Sequence, residues 1–379
     1  MITYAPRYGL ESRAPTAWGV LSRGKGVSAA QWLARGTLPD SGVLDDSESA
    51  NDFTLMSSLG FKNVRIVFDP QLVSSDEAGT QRTIGSYAMI TYMAQKAKLA
   101  QDAGLGVILS CMPILDASYK SDLLNNVSSH RADFASLWAA IATALISEGI
   151  HWDAIGLQLL NEPAFSNQTE LNALHWQAIK SIRAIAPAAT CIVHADAYAR
   201  SLVSTDPAYL LGANVISSFH CYGTSDGGAT SGSYGFTHQG ESSAANPYLA
   251  LISNLEWPAN SGNITTVSTG LGQLGAVSGK ATAQSYVTAY GSGETTSANL
   301  LAEIATSQSW ARTYSPWTIC TEFGCTSAAP AASRTAWLSA ACGQFDSIGT
   351  PCWIWSFTAD NFGVYSEPVL HPSIVTHLG

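Results

Sequence analysis

Residues 156–163 read Gly-Leu-Gln-Leu-Leu-Asn-Glu-Pro, an apolar run that ends abruptly in an amide, a carboxylate and a proline. Residues 317–324, Trp-Thr-Ile-Cys-Thr-Glu-Phe-Gly, repeat the pattern with a second carboxylate at the end of a β-rich segment. Each reads as a short buried strand whose last residues leave the sheet. Working outward, comparable runs lie at 24–27, 63–68, 105–111, 154–160, 190–194, 214–219, 317–321 and 352–357. Between them, 52–59, 87–103, 131–148, 170–186 and 333–347 carry apolar residues at helical spacing. Gly60, Gly104, Gly149 and Gly349 follow four of these segments as helix stops. Eight strands alternating with helices predict an α/β chain, a (β/α)8 TIM barrel forming a single domain over residues 1–379.

One stretch breaks this rhythm. Residues 223–299 are dense in Gly, Ser, Thr and Asn and fall between the sixth and seventh strands. They are too long for a featureless loop, so an insertion on the catalytic face is expected, with structure of its own that includes 246–255. Deleting its outer part is expected to change substrate preference if it walls or covers one end of the cleft. Inside it, Gly270-Leu-Gly-Gln-Leu-Gly275 has the glycine spacing of a dinucleotide-binding turn, and 264–269 could supply the strand before it. Gly279 follows at once and no βαβ frame surrounds it, so the match is read as chance.

Composition narrows the function. The net charge is −10 and no cluster of Lys and Arg occurs, which argues against nucleic acid or acidic lipid as partner. Eleven Trp and fourteen Tyr suit a neutral ligand with flat apolar faces and polar edges, such as a sugar. No run of eighteen apolar residues exists, so no membrane span is expected. Residues 1–25 lack the basic-then-apolar pattern of a secretory signal, so a secreted or periplasmic location requires a leader already removed or of another kind. The seven cysteines are odd in number and contain no C-x-x-C pair; most lie in apolar runs and read as core fillers. A monomer without cofactor is expected.

Strand-end polar residues matter because the C-terminal face of such a barrel is where catalytic groups from distant strands meet. Glu162 and Glu322 are therefore expected in one cleft, although 160 residues separate them. A carboxyl pair is what glycosidic cleavage needs: one group protonates the leaving oxygen and the other meets the oxocarbenium-like carbon. A metal-dependent hydrolase would need His-x-His or carboxylate clusters, and the eight histidines contain no such pair.

Asn161-Glu162-Pro163, His220-Cys-Tyr222, Glu322-Phe-Gly324, the Trp355 strand and Arg65 in Val64-Arg-Ile-Val67 resemble, in order and spacing, glycoside hydrolase family 5. The resemblance runs from about Gly24 to Tyr365. It implies a retaining double displacement with Glu162 as acid/base and Glu322 as nucleophile. Arg65 and Tyr222 are expected to hold Glu322 ionised, Asn161 to bond a sugar 2-hydroxyl, His220 to orient its neighbours, and Trp355 to offer a stacking platform. It also implies a cis peptide between Trp355 and Ser356. Phe236-Thr-His-Gln-Gly240 resembles a segment of some bacterial members in which the histidine, here His238, approaches substrate. One departure stands out: the family usually ends strand three with a sugar-binding histidine, whereas this chain has Ser110-Cys111-Met112-Pro113. The resemblance favours an endo-β-1,4-glucanase acting on a β-linked polysaccharide. A β-mannanase, a β-1,3- or exopolysaccharide glycanase, and a barrel that binds sugar without cleaving it are the alternatives.

Overall fold

The computed structural model describes residues 14–33, 50–70, 87–113, 119–125, 130–163, 168–194, 214–222, 234–241, 247–293, 297–315, 317–358, 360–366 and 369–378. Eight strands close into a parallel barrel in sequence order: β1 (Lys25–Leu33), β2 (Asn63–Phe68), β3 (Gly106–Cys111), β4 (Ile155–Gln158), β5 (Thr190–His194), β6 (Val215–Cys221), β7 (Thr318–Phe323) and β8 (Cys352–Ile354). This is the (β/α)8 architecture that the sequence predicts. The first strand runs further than its β-rich core at 24–27, because pairing with β2 from Gly26↔Asn63 to Leu33↔Phe68 supplies ladder bonds that residue propensity does not. The eighth is shorter than its apolar run, ending at Ile354; the Phe357 N–H still reaches Ser28 O at 2.9 Å.

Most helices sit between the strands and pack outside the barrel, while the first, Trp18–Leu21, precedes β1 and closes the barrel floor. The helices include α1 (Trp18–Leu21), α2 (Ala50–Ser58), α3 (Tyr87–Asp102), α4 (Tyr119–Asn125), α5 (His130–Ser147), α6 (Gln168–Ile185), α7 (Tyr234–Thr237), α8 (Ser261–Gln273), α9 (Lys280–Gly293), α10 (Ser297–Tyr314), α11 (Ala331–Ile348) and α12 (Pro372–Val375). Gly349 ends α11 with φ 66°, and the Thr350 N–H reaches back to Phe345 O at 3.0 Å, a left-handed cap only glycine adopts without penalty. Gly60, Gly104 and Gly149 also have positive φ after their helices. All seven cysteines are buried as reduced thiols and belong to the apolar core.

Within 223–299, positions 223–233, 242–246 and 294–296 lie outside the described residues. The remainder forms α7, a 3-10 turn at Pro247–Leu251, and the helices α8 and α9. The strand entertained at 264–269 is helix. Asn260 caps α8 by accepting from Asn263 N–H at 2.8 Å, and Ile264, Val267 and Leu271 turn one face onto the core. The glycines of 270–275 therefore end a helix instead of following a strand.

Inside the barrel the strands alternate between two layers. At the N-terminal ends Ile108, Ile192, Ile216, Ile319 and Trp353 pack with Ala17 and Leu21 of the segment that closes the barrel floor. Gly26 and Gly156 make this possible: a Cβ on the first would collide with the Trp353 indole, and on the second with Ile192. Two residues further along the same strands the inward positions become Ser28, Arg65, Ser110, Gln158, His194, Ser218 and Thr321, all fully buried.

Candidate active site

Arg65 organises the upper layer from β2. Its Nε donates to Gln158 Oε1 (2.7 Å), Nη1 to Glu322 Oε1 (2.6 Å), and Nη2 to Ser110 Oγ (2.8 Å) and Asn161 Oδ1 (2.6 Å). One fully buried guanidinium thus ties β3, β4 and β7 to a single point, with a carboxylate balancing its charge. The Tyr222 hydroxyl donates to the other oxygen, Glu322 Oε2, at 2.8 Å. Burial, then the negative charges of Glu322 and Glu162, push this phenol well above its ordinary 10, so it remains a donor. Both oxygens of Glu322 accept strong hydrogen bonds, the arrangement a carboxylate nucleophile needs.

Glu162 meets different neighbours. Its side chain is 29% exposed where that of Glu322 is 4%. Glu162 Oε1 lies 2.9 Å from His220 Nδ1, with Glu322 Oε2 3.5 Å from the same nitrogen. His194 Nδ1 accepts the Glu162 N–H at 3.1 Å, and burial holds the His194 pKa well below 6.5. The Thr321 hydroxyl sits 2.9 Å from Gln158 Nε2, 3.1 Å from His194 Nε2 and 3.2 Å from His220 Nε2, so it links both imidazoles to the amide that Arg65 holds.

The mouth of the barrel is lined by a small apolar group, Val67, Trp355 and Phe362, with Met112 and Tyr222 packed on it. Met112, in the Ser110–Pro113 stretch where the chain departs from the resemblance, thus brings carbon and sulfur to this group. Trp355 lies at the rim, its peptide to Ser356 is cis as the resemblance implies, and it is only 4% exposed. His238, 8% exposed, packs its ring 4.7 Å from Tyr222 and 5.1 Å from Phe362, while Thr237 Oγ1 donates to Tyr222 O at 3.0 Å. Arg334 of α11 holds the neighbouring loops by donating to Cys325 O (2.9 Å), Phe362 O (3.0 Å) and Gly363 O (2.8 Å).

The structure therefore brings Arg65, Asn161, Glu162, His220, Tyr222 and Glu322 into one hydrogen-bonded set, with His238 and Trp355 packed at its edge. Among the described residues, Glu162, His220 and Glu322 are also the one group of His, Cys, Asp and Glu close enough to share a metal ion, with atoms within 4.8 Å of one another. Positive charge already reaches that point from Arg65. Sequence reasoning missed Ser110, Gln158, His194, Thr321 and Lys120. The first four carried a signal, a polar residue inside an otherwise apolar strand. Lys120, on α4, carried none.

Comparison with known proteins follows the same lines. The sequence model described as cellulase, glycosyl hydrolase family 5, matches residues 35–361. Endoglucanase C of Acetivibrio thermocellus is 23% identical over 165 residues, an alignment covering 42% of this chain and 46% of that protein. The chain thus matches about half the length of this curated relative. Among solved structures, Thermotoga maritima Cel5A in complex with mannotriose superposes with a TM-score of 0.66 at 19% identity, covering 96% of this chain and 100% of that one. The cellulose synthase subunit Z of Clostridioides difficile superposes with a TM-score of 0.65 at 21% identity, covering 94% and 99%.

Proposed function

The chain belongs to the cellulase family, glycosyl hydrolase family 5, and is a glycoside hydrolase; from that premise we propose that it cleaves a β-1,4-linked glucan internally, with retention of anomeric configuration. The observation that carries the reading is the spacing of the carboxyl pair. An oxygen of Glu162 and one of Glu322 lie within 4.8 Å. Retaining pairs stand about 5–5.5 Å apart, and inverting pairs about 6.5–9.5 Å to leave room for water.

Environment separates the roles. Glu322, bonded by Arg65 and Tyr222, attacks the anomeric carbon as nucleophile while Glu162, oriented through its contact with His220, gives its proton to the leaving oxygen. A glycosyl ester of Glu322 forms and the leaving chain departs as an alcohol. Glu162 then takes a proton from water, whose oxygen attacks the same carbon and releases Glu322. Asn161 Nδ2 is buried and has no partner among the described residues, which leaves it to donate to the 2-hydroxyl in the transition state. His238 and Trp355 support the subsite from behind Tyr222 and at the rim. We also assign 223–299 as an insertion on the catalytic face of a single-domain chain, supported by the contact of His238 with Tyr222. A polymeric, neutral glycan as partner goes with action outside the cytoplasm; no helix among the described residues is long and apolar enough to cross a membrane.

The test is a panel of carboxymethylcellulose, barley β-glucan, laminarin, galactomannan and xylan, read as reducing ends, with the first product's anomer followed by proton NMR. Fastest release from the β-1,4-glucans with β-product first is expected. Preference for galactomannan or laminarin would move the substrate, and α-product first would overturn retention. Glu162→Ala is expected to lose most activity on glucan and far less on an aryl glycoside with a good leaving group; equal losses would remove Glu162 as the acid.

A further inference from the structure

We propose that Lys120 is a positioning residue for the acid/base: its ammonium holds the backbone of Glu162 in place and supplies the positive charge that sets where the alkaline limb of activity falls. The proposal rests on the reading of Glu162 as acid/base.

The geometry begins with a strained residue. Glu162 has φ 44°, in the left-handed region that a non-glycine side chain rarely occupies. Both of its peptide groups are pinned there. Its N–H donates to His194 Nδ1 at 3.1 Å, and its carbonyl accepts from Lys120 Nζ at 2.9 Å. Among the described residues that carbonyl is the one hydrogen-bond partner of the ammonium, which leaves two N–H bonds without a protein acceptor.

The charges around Lys120 can be named from every side. Glu162 of the β4 end and Glu322 of β7 attract it, and Cys111 of β3 is a neutral thiol held well above 9 by burial, then by Asp69. His194 of β5 is neutral, and the other cation of the site, Arg65, is bonded directly to Glu322. On the helices packed against α4 the ionisable groups meet partners of their own. Arg131 pairs with Glu170 at 2.7 Å, His130 stands 3.7 Å from Asp122, and burial keeps His175 neutral. Burial lowers the Lys120 pKa while Glu162 is the strongest of the charges raising it, so the two groups feel each other without a direct carboxylate bond. An ammonium this close favours the ionised carboxyl. Without it Glu162 keeps its proton to higher pH.

Arg65 and Lys120 therefore divide the work. Arg65 serves the nucleophile through its side chain, and Lys120 serves the acid/base through its backbone. The second arrangement puts the ammonium on the Glu162 carbonyl and not on its carboxyl, where a direct ion pair would hold the carboxyl as the anion.

The experiment compares Lys120→Gln, which keeps a donor and loses the charge, with Lys120→Arg, which keeps the charge. Rates on β-glucan and on an activated aryl glycoside are measured from pH 4 to 10, with thermal melts to establish folding. For Lys120→Gln the alkaline limb is expected to move up by about 1 unit, with kcat on glucan down about tenfold, KM little changed and the aryl glycoside less affected. Lys120→Arg is expected to return the limb to its wild-type position. Wild-type limbs in both variants, or equal losses on the two substrates, would overturn the proposal. Failure of the underlying reading looks different, since it appears in Glu162→Ala whatever Lys120 does.

Discussion

The floor and the mouth of this barrel are built from the same strands, two residues apart, by opposite rules. On β7 the inward residues are Ile319 below and Thr321 above; on β5, Ile192 and His194; on β3, Ile108 and Ser110. The floor is filled by shape, with glycines placed to admit Trp353 and Leu21, and hydrogen bonds such as Ala17 N–H to Thr190 Oγ1 at 3.0 Å only anchor the segment that covers it. The mouth is closed by hydrogen bonds: one guanidinium bonded to four acceptors, one hydroxyl shared by an amide and two imidazoles. The difference teaches where stability and chemistry are stored. Losing volume in the floor should cost stability and spare the reaction, whereas losing one group in the mouth should cost the reaction first.

The largest effect is expected at the mouth. Glu322→Gln keeps the shape and one of the two acceptor oxygens but removes the nucleophile and the charge that balances Arg65, so kcat on glucan should fall by about 10⁴-fold or more and the thermal midpoint should fall with it, the loss of rate being the larger effect. Steady-state rates beside a thermal melt check it. A variant that keeps a tenth of wild-type activity would break the comparison at its strongest point.

At the floor, Ile319→Ala should cost about 2–5 kcal/mol in urea unfolding, because the cavity lies under rigid strands that cannot collapse into it. Its kcat, measured well below the melting transition, should stay within about twofold of wild type. A loss of activity comparable to that of a mouth variant would mean that the two layers are not separable.

The smallest effect concerns a polar residue that obeys neither rule. His175 on α6 is buried, both ring nitrogens lack a partner, and burial lowers its pKa to about 3 from 6.5. The folded state holds it neutral, while the unfolded chain takes up a proton below pH 6.5. Its contribution is therefore intact above pH 6.5 and is lost as pH falls toward 3, at up to about 1.4 kcal/mol per pH unit. His175→Leu should flatten that part of the stability curve. Identical acid slopes for wild type and variant, from urea midpoints at several pH values, would show that the ring finds a partner in solution.

Much of this was legible in the sequence because buried parallel strands and helix stops depend on near neighbours: 63–68 and 190–194 have the predicted bounds, and the four stop glycines have the expected positive φ. Glu162 and Glu322 could be singled out for the same reason, as polar residues where an apolar strand ends. The helix over 264–269 was harder, since Ile264 and Val267 fit either period until packing against the core selects one. Trp355 and His238 could be named but not oriented. Their burial beside Met112, Phe362 and Tyr222 depends on loops that approach from different strands.

By itself, then, the sequence determined the eightfold alternation and the two strand-end carboxylates, because strand and helix periodicity is written in residues only a few positions apart, while Arg65 was named through the family resemblance. Only the tertiary structure decided that His220 stands between Glu162 and Thr321, that Lys120 holds the Glu162 carbonyl, and that one oxygen of each catalytic carboxyl comes within 4.8 Å of the other. These are contacts between groups 42 to 160 residues apart. Closing the barrel sets their distances, and no local pattern along the chain encodes that closure.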